Sequence, residues 1–448
     1  MLLSSSTYFI FLVGIFFLYW SASRVRALAL GLILFANYFF YARWDYHYLA
    51  LIPVASSIDY FIGLGLQSVQ MQALRRLLVT LSIAMNVGLM VFARRGGWML
   101  PLTLSFYIFQ AMTYTIDLYR RDTKGTKSYL AHLTAVSFFP TILAGPITRV
   151  SSLVEQFEKR KPLEAADGGK ALFLIGLGLI KKLMIADYLA ENLVNRVFDF
   201  PNLYTAAENL VAVYAYALQL FYDFSGYTDV AIGSALLLGI KLPVNFNAPY
   251  AAENVADFWR RWHITLSNWL RDYLYFSLPG LRSKWKVFAY MNLLITMVIG
   301  GLWHGQSWNF VIWGALHGLG LVTVRIWQAY RGSAKATGLW RYANIFLTFH
   351  FVAFAWIFFR APTLEVASAI LGRIGSLTVS FANVAGPYWM VLAIALLAHY
   401  VPKKWYDVSL NLYVRAPFYA QAAVLAALVM GLRYVAQTGA APFIYTRF

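Results

Sequence analysis

Of 448 residues, 60% are hydrophobic and only 12% are charged, against about 25% charged in an ordinary soluble domain. A soluble fold could not hide that much apolar surface, so a bilayer must solvate much of this chain. The net charge of +18, from 37 Lys and Arg against 19 Asp and Glu, fits basic loops between membrane spans better than a nucleic-acid surface.

The chain has no cysteine, which excludes disulfides, thiolate metal sites and a thioester acyl-enzyme. Any base or nucleophile must come from the seven histidines, from hydroxyls or from carboxylates. Taken in order, the first apolar run (8–22) lacks a basic leader and a small-residue cleavage site. It therefore reads as a first span rather than a signal peptide. Arginine pairs (Arg24/Arg26, Arg75/Arg76, Arg94/Arg95, Arg120/Arg121) sit in nearly every early loop and so leave the orientation open. Residues 1–118 predict four or five helices. Two of them carry a polar interruption, Asp59 within 53–66 and Asn86 within 77–93. A buried acid in a span faces the bundle interior, and a structural hydrogen bond is its simplest role.

The stretch 129–149 is apolar but holds Pro140, Gly145 and Pro146, which predicts a broken or re-entrant helix. Residues 151–170 read as a surface loop or helix without chemistry. Spans are expected at 171–189 and 206–224. From 222 to 282, Asn, Asp and Arg mix with Trp259, Trp262, Trp269, Tyr273 and Tyr275, as at a membrane interface or around a polar cavity. Further runs at 287–303, 308–324, 343–359, 388–400 and 417–436 bring the total to roughly eleven membrane helices plus re-entrant pieces. The fold class is all-α and polytopic, without internal repeats. It reads as one domain, with N-terminal helices (1–128), a core (129–360) and C-terminal helices with a tail (361–448).

Two segments concentrate chemistry. In 257–273, read as a helix, Trp259, His263 and either Trp262 or Ser267 share one face while Arg260 and Arg261 project elsewhere. An amphipathic interfacial helix explains the arginines equally well. Forty-one residues after His263, His304 follows an apolar run among Gly300, Gly301 and Gly305, residues that let a backbone or ligand approach closely. An imidazole at the edge of hydrocarbon is a functional candidate, and it suits a general base that takes a proton from a hydroxyl. His317 and His350 are also intramembrane, and Phe349 and Phe351 around His350 fit a buried structural histidine as well.

Taken together and in order, PLTLSFYIFQAMTYTID (101–117), SFFPTILAGPITR (137–149), YDFSGYTDVAIG (222–233), NFNAPY (245–250), 257–275 and 300–318 resemble the membrane-bound O-acyltransferase family. The likeness is to its bacterial branch of alginate and peptidoglycan O-acetylases and the teichoic-acid D-alanylation protein. The resemblance implies a ring of helices around a thinned membrane, crossed by a tunnel, in a bacterial cytoplasmic membrane. It implies His304 as the catalytic histidine and His263 as its upstream polar partner, with His350 a weaker candidate. Trp303, Trp259, Trp262, Arg260, Asn247 and Asp229 are expected to line the substrate tunnel.

The resemblance further implies a cytosolic acyl donor, acetyl-CoA or an acyl-carrier protein, with no bound cofactor or metal. The expected partners are an extracytoplasmic polymer acceptor and an exported SGNH-type transferase or esterase-like protein, with no nucleic acid. The C-terminal Tyr445, in APFIYTRF, resembles the tyrosine of a short motif that carries the acyl group outward, although Thr446-Arg447 departs from that motif. An aromatic interface anchor explains the tail equally well. A lipid or protein acceptor is the alternative substrate class. A proton-relaying transporter would account for the histidines and broken helices but not for the order of the motifs.

Overall fold

The computed structural model describes residues 3–43, 45–95, 101–142, 145–282, 284–332 and 336–435, which are helical with no strand among them. Five helices (α1, Ser6–Ser21; α2, Arg26–Ala42; α3, Tyr48–Ser68; α4, Gln72–Arg95; α5, Pro101–Arg120) form the N-terminal bundle. The broken segment follows as α6 (Tyr129–Val136) and α7 (Phe139–Ile142), the break falling just before Pro140, which has no N–H to give the carbonyl of Val136. Next, α8 (Val150–Glu158) buries Val150, Leu153, Val154 and Phe157 along one side. The stretch expected to be surface is thus half surface, with its apolar face docked on the bundle.

The expected span at 171–189 starts earlier, as α9 (Ala165–Leu179), and runs on through π-helical turns at Ile180–Ala186 and Ala190–Val194, with α10 (Asp187–Leu189) between them and α11 (Asn195–Asp199) after. The span expected to stop at 224 continues to residue 237 as α12 (Ala206–Leu237). The acids along it are paired: Lys182 Nζ lies 2.6 Å from Asp223 and 2.7 Å from Asp187, and Lys181 Nζ lies 2.6 Å from Asp229. Buried charges persist in such a place only when paired. A capping box starts α12, with Thr205 and Glu208 satisfying each other's end of the helix. Nearly every residue of α12 is buried, so it is the central post of the molecule.

Two short helices, α13 (Val255–Trp259) and α14 (Ile264–Trp269), then lead to the long pair α15 (Lys286–His304) and α16 (Trp308–Arg331). After these come α17 (Gly338–Arg360), α18 (Leu364–Gly375), α19 (Gly386–His399), α20 (Lys403–Arg415) and α21 (Phe418–Val435). Among the described residues, α3, α4, α15, α16 and α17 are long and apolar enough to cross a membrane, and α20 with α21 adds one bent pair. Shorter apolar helices, α1, α2, α19 and the α6–α7 segment, accompany them. Many large side chains face outward, Ile10, Phe17, Phe35, Phe61 and Leu347 among them, which water would penalise and lipid tails accept. This is a polytopic membrane protein. Tyr445 lies outside the described residues.

Candidate active site

His304 ends α15 and is buried, its ring centroid 4.5 Å from Trp303, 4.9 Å from Phe359 and 5.3 Å from Trp313. The glycines beside it serve helix packing. A Cβ on Gly301 would meet the Phe310 carbonyl oxygen at 2.2 Å, and one on Gly314 would meet that of Met297 at 2.5 Å. Small residues thus bring α15 and α16 into backbone contact, which is what sets Trp313 against His304. The close approach anticipated around these glycines is made by the neighbouring helix.

His263 sits differently from its expected place on a continuous helix. The chain breaks after Trp259, and His263 adopts φ +40°, ψ 55° in the left-handed region before α14 begins. Backbone bonds from Ile264 N to Asn245 O and from Asn247 N to Arg261 O, each 2.9 Å, lash this turn to the 245–247 strand-like segment and hold the uncommon conformation. The shared-face argument for Trp259, Trp262 and His263 therefore fails, and tertiary contacts gather these residues instead. Phe106 stacks 6.0 Å from His263 and lies 5.7 Å from Trp303, while Phe224 of α12 meets His263 edge-on at 4.6 Å. Phe106 and Trp303 thus bridge the two histidines.

Asn245 is a residue that pattern reading missed, because a lone asparagine in a loop carries no signal. Its Oδ1 accepts from the Thr265 backbone N–H (3.2 Å), the Thr265 hydroxyl (2.9 Å) and His263 Nδ1 (3.1 Å). A backbone N–H only donates, which fixes Oδ1 as the acceptor and makes His263 Nδ1 the protonated nitrogen. His263 Nε2 then carries the lone pair, and it is buried without a hydrogen-bond partner. Burial pushes this imidazole down to about 3, because a desolvated ring resists charging. It is a neutral acceptor at physiological pH.

Thr265 also accepts from the Ile147 backbone N–H at 3.0 Å, which ties the broken 139–149 segment to the histidine. On its other side opens a cavity of about 530 Å³, lined by Arg149, Lys241, Thr148, Thr265 and Tyr273 among others. Arg149 is held there by Asp272 at 3.2 Å and by the Tyr273 ring. Among the described residues no group of three or more His, Asp and Glu is arranged to hold a metal.

The family model described as MBOAT, membrane-bound O-acyltransferase family, matches residues 120–364, the stretch that holds both histidines and, apart from Phe106, the side chains around them. The chain belongs to that family. Among its relatives, the probable alginate O-acetylase AlgI of Azotobacter vinelandii is 36% identical, covering 93% of this chain and 86% of the relative. The peptidoglycan O-acetyltransferase of Helicobacter pylori is 34% identical over 79% and 75% of the two chains. The teichoic acid D-alanyltransferase of Streptococcus thermophilus is 29% identical over 58% and 68%.

The acyltransferase places its other expected site residues unevenly. Trp303, Trp259 and Trp262 are buried in the aromatic cluster with His263 and His304. Trp259 Nε1 donates to His317 Nδ1 at 3.3 Å, which draws into the cluster another of the intramembrane histidines that the sequence shows in excess of packing needs. Arg260 is exposed beside Asp257, Asn247 is exposed, and Asp229 is taken up by Lys181. His350 stands on α17 with both nitrogens occupied, by the Tyr214 hydroxyl at 2.9 Å and the Phe346 carbonyl at 2.8 Å.

Proposed function

We propose that this acyltransferase moves an acetyl group from a cytosolic thioester donor, acetyl-CoA, across the membrane for O-acetylation of an extracytoplasmic polysaccharide or cell-wall polymer. The observation that carries this reading is the near full-length likeness to relatives named as alginate and peptidoglycan O-acetyltransferases. The residues support it chemically. His304 acts as the general base on the attacking hydroxyl, and His263, neutral and with a free lone pair on Nε2, orients or shares that proton. Trp303, Trp259 and Trp262 line the route, and the roughly eleven-helix ring around a tunnel is the architecture that brings donor and acceptor to them from opposite sides.

The cavity walled by Arg149, Lys241 and hydroxyls opens onto Thr265, which touches the Asn245 support of His263, and it suits the phosphorylated arm of a donor. An exported SGNH-type transferase completes delivery to the polymer, with Tyr445 as the hydroxyl that carries the acyl group outward. A phenol beside a base is a workable nucleophile, and its aryl ester passes the group on readily.

The test uses everted membrane vesicles that contain the full chain and its partners, incubated with [¹⁴C]acetyl-CoA. Base-labile label should appear on envelope polymer, and Tyr445→Phe should abolish it at unchanged protein level. No label with the wild type overturns the reading. Full activity in Tyr445→Phe reduces the tail to an interface anchor.

A further inference from the structure

A second histidine-centred group lies beside His304 and is unassigned in the reaction just described. His317, on α16, is fully buried, with its ring centroid 5.0 Å from Trp313, 5.2 Å from Trp259 and 6.1 Å from Trp356. Trp313 and Trp356 stack at 5.8 Å and are each 1% exposed. Trp313 in turn packs 5.3 Å from the His304 ring, so one indole is shared between the two histidines.

The hydrogen-bonding pattern fixes what His317 offers. An indole N–H can only donate, so the 3.3 Å contact from Trp259 Nε1 makes His317 Nδ1 an acceptor. In the neutral ring the proton then sits on Nε2. That Nε2–H, the Trp313 Nε1–H and the Trp356 Nε1–H are all buried, and none has a hydrogen-bond partner among the described residues. Packing alone would favour phenylalanine or leucine here, since a buried donor left without an acceptor is destabilising. Three such donors lie in neighbouring rings, with further rings around them, and each lacks the oxygen acceptor that an N–H calls for. His263 has the opposite tautomer, with Nδ1–H committed to Asn245 and a lone pair on Nε2. One histidine is built to accept and the other to donate.

We infer that His317 Nε2–H, supported by the Trp313 and Trp356 indole N–H groups, is a catalytic donor site for the carbonyl oxygen of the acyl group, stabilising the oxyanion of the transfer. The inference rests on the acyl-transfer reading above. In the step it serves, the acceptor hydroxyl oxygen bonds to the thioester carbonyl carbon and its proton passes to His304. The C=O π pair moves onto oxygen, where the N–H donors meet it. The pair then returns, the C–S bond breaks, and the departing thiolate takes the proton from His304, leaving an ester and a thiol. Neutral donors fixed in place in a dry site act on charge that develops only in the transition state, so they raise the maximal rate more than they tighten binding.

The experiment is the [¹⁴C]acetyl-CoA assay in everted vesicles, titrated in acetyl-CoA. His317→Phe should lower the maximal rate by about a hundredfold or more, the range for loss of one oxyanion donor, with the KM for acetyl-CoA within about twofold. His317→Gln, whose amide returns an N–H donor near Nε2, should recover at least about tenfold of that loss. Should His317→Phe not accumulate in the membrane, Trp313→Phe decides, because it keeps a ring and removes the N–H. A loss of about tenfold or more supports the site, and a wild-type rate overturns it. A His317→Phe enzyme with the wild-type rate overturns the inference alone, as does one impaired only in KM. A wild type that transfers no label from acetyl-CoA overturns the acyl-transfer reading and this inference with it.

Discussion

Two buried polar networks occupy this membrane protein, and they are finished to different degrees. In the N-terminal bundle, the Asp59 carboxylate accepts from Ser82 Oγ at 2.6 Å and from Asn86 Nδ2 at 2.9 Å, with Ser82 also in contact with Thr115 at 2.8 Å. Both carboxylate oxygens are occupied, and the three helices α3, α4 and α5 are cross-linked by the result. In the core, His263 Nε2, His317 Nε2 and the indoles of Trp313 and Trp356 are equally buried but unpartnered. A network whose acid is satisfied on both oxygens holds helices together, even with Asn86 Oδ1 left without a partner among the described residues. An unsatisfied one keeps its hydrogen-bonding capacity for something that arrives, and its destabilisation is borne by the surrounding aromatic packing.

Mutations should separate the two regions. The largest effect is expected at His304: His304→Ala should leave an inserted protein with acylation lowered at least about a hundredfold, as for a lost general base. Near-normal acylation of the polymer would remove His304 from the chemistry. His263→Ala should also reduce transfer, and the double variant should be little worse than His304→Ala, because residues acting as a unit are not additive. Fully additive losses would recast His263 as a packing residue of its turn.

Between the regions in size of effect is Gly314→Val. Its side chain would collide with the Met297 carbonyl oxygen, prise α16 from α15 and displace Trp313 from His304. Thermal stability in detergent and transfer rate should fall together, and a variant that loses neither would show that the helix contact is slack. The smallest effect on turnover is expected from Asp59→Asn. It should lower stability by about 1–3 kcal/mol, since one donor in the network loses its acceptor, while transfer per folded molecule stays at the wild-type rate. A large fall in turnover without a stability change would put Asp59 on the functional side of the comparison.

Composition by itself determined that this chain lives in a bilayer, because apolar content and sparse charge leave no soluble alternative. Local sequence also determined the break before Pro140, since that proline cannot donate to the carbonyl four residues earlier, at Val136, where α6 ends. The motif around His304 was legible because a histidine following a glycine pair at the end of an apolar run is rare on packing grounds.

What local sequence could not decide was anything set by partners distant in the chain. Helix α12 runs past Asp223 and Asp229 because Lys181 and Lys182, some forty residues earlier, neutralise them. The helix expected over 257–273 breaks because Asn245 and Asn247 supply better partners for its backbone than its own next turn does. The tautomers of His263 and His317 are opposite because one meets an amide oxygen and the other an indole N–H. Periodicity records which residues face one way along a single helix, whereas these outcomes depend on which donor meets which acceptor once the helices have packed.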